Sequence, residues 1–403
     1  MIKNSNKHWL VLICCCGLAA ASIGISINSS GIFYTPVSDD LHILRGSFSM
    51  HMTVFSLTTA FASLLIPKLM EKFNYKLILI VSVIVATIST AAMSLGTTAL
   101  YFDILGFIRG FSTCMFSLVP ITMIINNWFI KKHGLATSIA LGFSGLAGSI
   151  CSPIMSNIIT DLGWQTGYII KALIILGLCL PAIIYPFHLN PRDDNLLPYG
   201  YEKNDISETN VNTLNNTTSI ISLSFICFFI FALMISCITS ITQHLPGYAD
   251  SIGYSASIGA TLLSAGMIGN IVSKIIIGML SDHLGVIKAT IIMMLANCLG
   301  VVLLLISGSS IVLILGAFLF GSCYCLGAVG VPLLTKYFFG DENYPKYFPK
   351  FALGSNLGAA ISFSAVGFIY DITKSYSFSL IFALIMLGIC GLLLLICYKQ
   401  KRA

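Results

Sequence analysis

Twelve apolar stretches, each long enough to cross a lipid bilayer, run through this chain of 403 residues and leave it little freedom of class. A helix needs about 20 apolar residues to cross a hydrocarbon core of about 30 Å. Backbone amides in lipid must bond within their own segment or within a closed barrel. Runs this long, without polar alternation, are expected to be helices and not the strands of an outer-membrane barrel. The spans are expected at roughly 9–34, 47–67, 77–97, 101–127, 134–159, 165–187, 220–245, 255–279, 288–307, 310–335, 349–370 and 376–398. Hydrophobic residues make up 57% and charged residues 9%, with a mean hydropathy of +0.93, which excludes an ordinary soluble protein.

The turn after the second stretch resembles the turn after the eighth. Residues 66–76 read IPKLMEKFNYK and residues 278–288 read GMLSDHLGVIK. Each sets an acid on a short polar hinge with a lysine nearby: Glu71 and Lys72 in one, Asp282 between Gly278 and Gly285 in the other. A repeat six spans apart implies two homologous halves, the architecture of a membrane carrier. The expected fold is an all-α membrane protein of two pseudo-symmetric six-helix bundles, 1–187 and 220–403, joined by a polar linker at 188–219. The fourth and tenth spans echo one another, LGFIRGFSTCMFSLVP (105–120) beside LGAFLFGSCYCLGAVGVP (315–332). Each has a proline that removes a helical hydrogen bond and bends the segment. In the fifth span, GLATSIALGFSGLAGSICSP (134–153), small residues recur at helical spacing and allow close backbone approach, as a static packing seam or a sliding gate.

Charge sets the orientation. With both termini cytoplasmic, 16 of the 21 Lys and Arg fall on the inner side, against Arg45, Lys171 and Lys374 outside. The positive-inside rule supports that topology, in the plasma (inner) membrane. The +6 net charge reflects this bias and gives no reason to invoke nucleic acid. Lys3 and Lys7 ahead of an apolar run could mark a cleaved signal peptide, but the run continues to Phe33 and its loss would break the twelve-span count. All 13 cysteines fall within spans, without the spacing of a zinc site, and read as packing residues. NNTT at 215–218 fits a glycosylation pattern that a cytoplasmic linker makes meaningless. There is no phosphate-binding loop, metalloprotease helix or nucleophile elbow, so neither an ATP-driven pump nor an enzyme is expected, and no cofactor.

The hinges resemble the G-x-x-x-D-R-x-G-R/K motif of the major facilitator superfamily. The C-terminal copy keeps Gly278, Asp282 and Gly285, whereas the N-terminal copy has Pro67, Glu71, Lys72 and Asn74. Within that superfamily, NNWFIKKHGLATSIALGFSGLAGSICSP (126–153), ATLLSAGMIGNIVSKIIIGMLSD (260–282) and FFGDENY…GFIYDITKSY (338–376) are similar to the monocarboxylate transporter and oxalate–formate antiporter branch. The resemblance implies a secondary transporter for a small organic anion such as lactate, pyruvate or formate, by proton symport or anion exchange. It also implies that Lys274 stands where the branch has a basic residue for the substrate carboxylate. Lysine supplies that charge without the two-pronged fork of arginine. The other reading of Lys274 is a side chain snorkelling to the interface.

The chain departs from the branch in three places. Asn270 replaces an aspartate, which puts proton coupling in doubt; Asn28-Ser29-Ser30-Gly31 lacks the lysine of the first helix; Ser355 and Asn356 stand where an exchanger has a second cation. Lys346 and Lys350 are close by but too near the cytoplasmic end. Substrate-side candidates are thus Lys274, Asn270, Asn28 and Asn356, with Arg109 (coupling or structural) and Tyr324 (cavity hydroxyl or packing). The expected partners are the anion, protons as a coupling ion, and the lipid bilayer around a monomer. His51 and His244 read as interfacial, and Asp103 likewise. Two alternatives stay open: a carrier of another solute, such as a drug or amphipathic metabolite, and a nutrient sensor without flux.

Overall fold

The computed structural model describes residues 5–131, 133–201, 223–306, 308–340 and 343–402, and its regular structure is helical apart from one bridge between Phe129 and Tyr199. Among the described residues ten helical stretches are long and apolar enough to cross a membrane. One of these, Leu135–Ile184, has 50 residues, about 75 Å of helix at 1.5 Å per residue, far more than one bilayer. Gly163, at φ +82°, breaks it into a fifth and a sixth span. The helix Arg45–Ser63, 19 residues long and less apolar, forms the second span, which brings the crossings to twelve. An even number puts both termini on one face, here the terminal face; the opposite one is the far face.

The others are the first (Lys7–Asp40), third (Tyr75–Leu95), fourth (Ala99–Trp128), seventh (Leu223–Ser251), eighth (Ala256–Leu284), ninth (Val286–Ile306), tenth (Ser310–Phe339), eleventh (Lys346–Thr373) and twelfth (Ser377–Lys401). The third shows why apolar sequence packs one way only. Leu77, Val81, Ile84 and Ile88, at helical spacing, are exposed toward lipid, while Leu79, Val83, Ala86 and Thr90 on the opposite face are buried. Lipid is as apolar as leucine, so close packing of the smaller face decides which side turns inward. Two buried cores result: one built almost wholly from residues Val11 to Phe187, the other from Cys227 to Cys397.

The halves repeat each other's irregularities. The fourth span breaks after Cys114 and restarts at Leu118 with Pro120 in its first turn. The tenth passes through a π-helical turn, Leu326–Gly330, before restarting at Val331 with Pro332. The first and seventh spans both tighten into a 3-10 turn, Gly31–Phe33 and Thr242–His244, and each continues into a short helix. Those short helices carry the first and seventh spans to Asp40 and Ser251, beyond the 34 and 245 expected from apolarity. Both polar turns lie where the repeat places them. After the helix Ile66–Lys72, the Asn74 side chain caps the third span by accepting from the Lys76 amide at 2.8 Å. The eighth span ends at Gly285, φ +84°. Lys72 and Asp282 are exposed, and the space around Gly278 is open. The Glu71 side chain lies outside the described residues, as do linker residues 202–219.

The described part of the linker docks on the terminal face. The Tyr199 amide donates to the Trp128 carbonyl at 2.8 Å, and Lys7 and His188 reach Asp194 at 3.3 and 2.8 Å. Burial works to raise the Asp194 carboxyl, but hydrogen bonds from His188 and Lys7 outweigh it and hold it below the usual value.

Three polar residues lie deeper than sequence suggested. Lys171, expected at the far face, is 1% exposed inside the sixth span, donating to the Ser30 hydroxyl and packed on the Phe33 ring. His51 and His244, expected at the interface, are fully buried, the second beside the Phe363 carbonyl at 3.0 Å. For Lys171 and His244 a neighbouring span supplies the polar partner, whereas His51 bonds the Phe48 carbonyl of its own helix.

Candidate functional site

The halves are fastened together on the far face. Helix amides at the start of a helix have no partner in their own helix, and Leu44 before the second span provides no side-chain cap. Asp371, from the eleventh span, fills that role across the boundary: its carboxylate accepts from the Arg45 and Gly46 amides at 3.0 and 2.7 Å. The Arg45 guanidinium reaches Asp250 of the seventh span at 3.0 Å and stacks on Tyr370 at 4.3 Å. Deeper, Thr53 donates to the Ala360 carbonyl at 2.6 Å, the Gly31 amide to Gln243 at 3.2 Å, and Ser264 to the Ser149 carbonyl at 2.6 Å. Every hydrogen bond described between the halves lies on the far side of the molecule.

Glycine makes that closure possible. A Cβ on Gly367 would fall 2.7 Å from the Gly46 backbone, and one on Gly46 would strike the Phe368 ring and backbone. The second and eleventh spans approach there backbone to backbone, with the Phe368 ring and the Ser49 hydroxyl packed alongside.

Beneath this closure lies a cavity of about 230 Å³ between the halves. Asn28, Phe55, Ser56 and Thr59 line it from the N-terminal half; Ser236, Thr239, Ser240, Gln243, Tyr324, Asn356 and Phe363 line it from the other. The first span is π-helical over Ala20–Asn28 where it forms this wall, and the π turn of the tenth begins two residues after Tyr324. Such windings recur at functional sites because they re-aim side chains. Thr239 and Ser240 donate to carbonyls of their own helix, so they present lone pairs. Gln243 donates to the Tyr324 hydroxyl at 3.4 Å, and Asn356 makes no hydrogen bond among the described residues. The lining is uncharged, with these hydrogen-bonding groups set in a mostly apolar wall that also includes Ile23, Ile27 and Ala359.

The sequence candidates therefore divide. Asn28, Tyr324 and Asn356 share the cavity wall. Asn270 is 2% exposed and packs where the eighth span crosses the Gly321 backbone, with its carbonyl oxygen unpartnered. Lys274 continues the face of the eighth span on which Met267 and Ile271 pack against Gly148 and Gly145 of the fifth. It is half-buried, lies near Cys325, and has no hydrogen bond or ion pair among the described residues. Arg109 is 1% exposed, donating to Thr90 at 3.1 Å and the Met93 sulfur at 3.0 Å, with one terminal nitrogen unpartnered. It sits behind Phe55, 5.7 Å from the ring centre. Gln243, Phe55 and the small hydroxyl residues escaped sequence reading because none carries charge. An amide inside an apolar span was the available signal for Gln243.

The profile of the Major Facilitator Superfamily matches residues 14–273 and 225–403. The chain is 23% identical over 159 residues to the uncharacterized MFS-type transporter YcxA of Bacillus subtilis (strain 168), covering 39% of each chain. It is 26% identical over 166 residues to the MFS-type transporter pytF of Aspergillus terreus (strain NIH 2624 / FGSC A1156), covering 41% of this chain and 52% of that one. The chain thus spans only about two fifths to one half of these relatives' length. Among solved structures it superposes on the nucleoside transporter NupG with TM-score 0.72 at 14% identity, covering 99% of this chain and all of that one. A bacterial homolog of the human lysosomal transporter Spinster, in an inward-facing and occupied conformation, gives TM-score 0.68 at 12% identity over 99% and 98% of the two chains.

Proposed function

The chain belongs to the major facilitator superfamily, and from that premise we propose that it carries a small organic anion, a monocarboxylate such as lactate, pyruvate or formate, by alternating access. The observation that carries the reading is Lys274: a half-buried cation without an acid partner, on the face where the eighth span parts from the fifth. A cation at bilayer depth costs at least ~2.5 kcal/mol, so one left unpaired is apt for an anionic solute. The interior charge balance points the same way. Arg109, Lys171 and Lys274 lie within spans, while among the described residues no Asp or Glu lies deeper than Asp103, the fifth residue of its helix. That lack of a buried carboxylate favours anion exchange over proton symport.

In this reading the far face is extracellular and closed, and the carrier is inward-open. Substrate enters from the cytoplasmic side past Lys274 and meets donors from Asn356 and Tyr324 in the cavity. The far-face fastening then breaks as the bundles rock.

One observation favours a second reading. The cavity lining carries no charge, which suits a neutral polar solute, and the NupG neighbour transports nucleosides. An uptake panel in proteoliposomes, with and without a pH gradient and with anion preloaded inside, separates the two. Counterflow of a monocarboxylate that Lys274→Gln abolishes and Lys274→Arg retains supports the anion. Uptake of neutral solutes alone, unchanged by Lys274→Gln, overturns it. No flux of any solute would point to a sensor.

A further inference from the structure

We propose that Gln243 couples occupancy of the central cavity to opening of the far face. Its side chain, 1% exposed, lines the cavity from the seventh span and is engaged at both ends. The oxygen accepts from the Gly31 amide of the other half at 3.2 Å, and the nitrogen donates to the Tyr324 hydroxyl at 3.4 Å. A backbone amide can only donate, so Gly31 fixes which end is oxygen and turns the nitrogen toward Tyr324. Of the hydrogen bonds described between the halves, this one alone involves a residue of the cavity wall.

The two ends differ in how firmly they hold. Gly31 opens the 3-10 turn Gly31–Phe33, and the first amides of a helix have no partner within it. A Cβ on Gly31 would fall 1.8 Å from the Gln243 carbonyl oxygen, so the 3-10 turns of the first and seventh spans meet backbone to backbone. The Tyr324 end is looser, since 3.4 Å is long for such a bond. A solute acceptor in the cavity draws the nitrogen off Tyr324. The carboxamide is planar, so its oxygen turns too and leaves the Gly31 amide unpaired while the face stays closed. That amide is costly to bury without a partner and meets water once the halves part. Solute binding thereby weakens the far-face closure, as a carrier loaded from the terminal side requires.

The inference rests on the carrier reading and not on which solute is carried. Ser49 is 0% exposed beside the Gly46–Gly367 contact. In a background lacking the native thiols, Ser49→Cys reacts with a maleimide only when that face opens, so its labelling rate in detergent follows the open population. Gln243→Met keeps the length of the side chain without its polar atoms and should label roughly fivefold faster. Tyr324→Phe removes only the hydroxyl and should label roughly twofold faster. The double variant should match Gln243→Met alone, because Tyr324 acts through the carboxamide. An unchanged rate in Tyr324→Phe overturns the proposal, whether or not Gln243→Met folds; so do two effects that multiply. In a second arm, lactate or uridine, whichever saturably raises the melting temperature, should speed labelling. That effect should vanish in Gln243→Met at concentrations that still stabilise it. A solute that raises the melting temperature and leaves the rate unchanged overturns the coupling. If neither solute stabilises the protein, the substrate readings above fall, while Tyr324→Phe still decides this one.

Discussion

Replacing Asp371 by alanine should push the protein out of the state seen here. In this state the carboxylate caps two amides of the second span from the other half of the molecule. Once the halves part, the same amides must turn to water. The bonds therefore exist in one state only, and their strength translates directly into a conformational equilibrium. Charge-assisted bonds of this kind contribute ~1.5–3 kcal/mol each when buried. Asp371 is half-exposed, and water compensates the freed amides, so the pair together is worth about 2 kcal/mol. At 1.4 kcal/mol per tenfold, that is a shift of roughly 30-fold toward the state open on the far face. Even a wild type closed a hundred to one would then be about one quarter open. Spin labels on cysteines placed at Asp161 and Ser257, in a background lacking the native thiols, report the distance between the halves at that face. The alanine variant should add a long-distance population absent from wild type, and Asp371→Asn, which keeps one acceptor, a smaller one. Identical distance distributions for all three would show that this cap does not hold the halves together.

Other tests address different parts of the molecule. Asp282 is exposed and unpartnered among the described residues in this state, so Asp282→Asn should change turnover while leaving substrate affinity in detergent within about twofold; lost binding with normal turnover would contradict a role in conformational exchange. The thirteen cysteines are all free and buried or half-buried, so replacing them with Ala or Ser should lower thermal stability and leave solute preference intact; loss of affinity from Cys323 or Cys325 alone, in a folded protein, would contradict that. Asp194 is held below its usual value, so its contribution to docking the linker is complete above the unfolded carboxylate value of about 3.9 and fades as pH falls through the lower folded one. Amide protection at 188–201, taken relative to the intrinsic exchange rate at each pH, should therefore stay high at neutral pH, fall only under acid below pH ~4, and be low at neutral pH in Asp194→Asn.

The membrane class, the crossings and the two polar turns were legible in sequence because each rests on local composition: length of apolar run, a proline, a polar turn. What stayed hidden depends on contacts between segments. Lys171 looked like a far-face lysine seven residues into its span; only the Ser30 hydroxyl and Phe33 ring of another helix explain its depth. The cavity escaped for the opposite reason. Its hydrogen-bonding groups are uncharged serine, threonine, tyrosine and amide side chains gathered from five spans, and Asn28 stands at the end of the π-helical stretch of the first span. Charge drew attention to Lys274 and Arg109, which flank that cavity and do not line it.

The contact of Gly46 with Gly367 has a consequence for permeability. A gate closed by side chains must wait for rotamers to interlock, and it leaks while they do. At Gly46 and Gly367 the two backbones approach closely, with only the Phe368 ring and Ser49 hydroxyl beside them, so contact at this point depends on the position of the spans and not on a long side chain's rotamer. A side chain added at either glycine would hold the two spans apart, so closure at this point requires the spans themselves to meet.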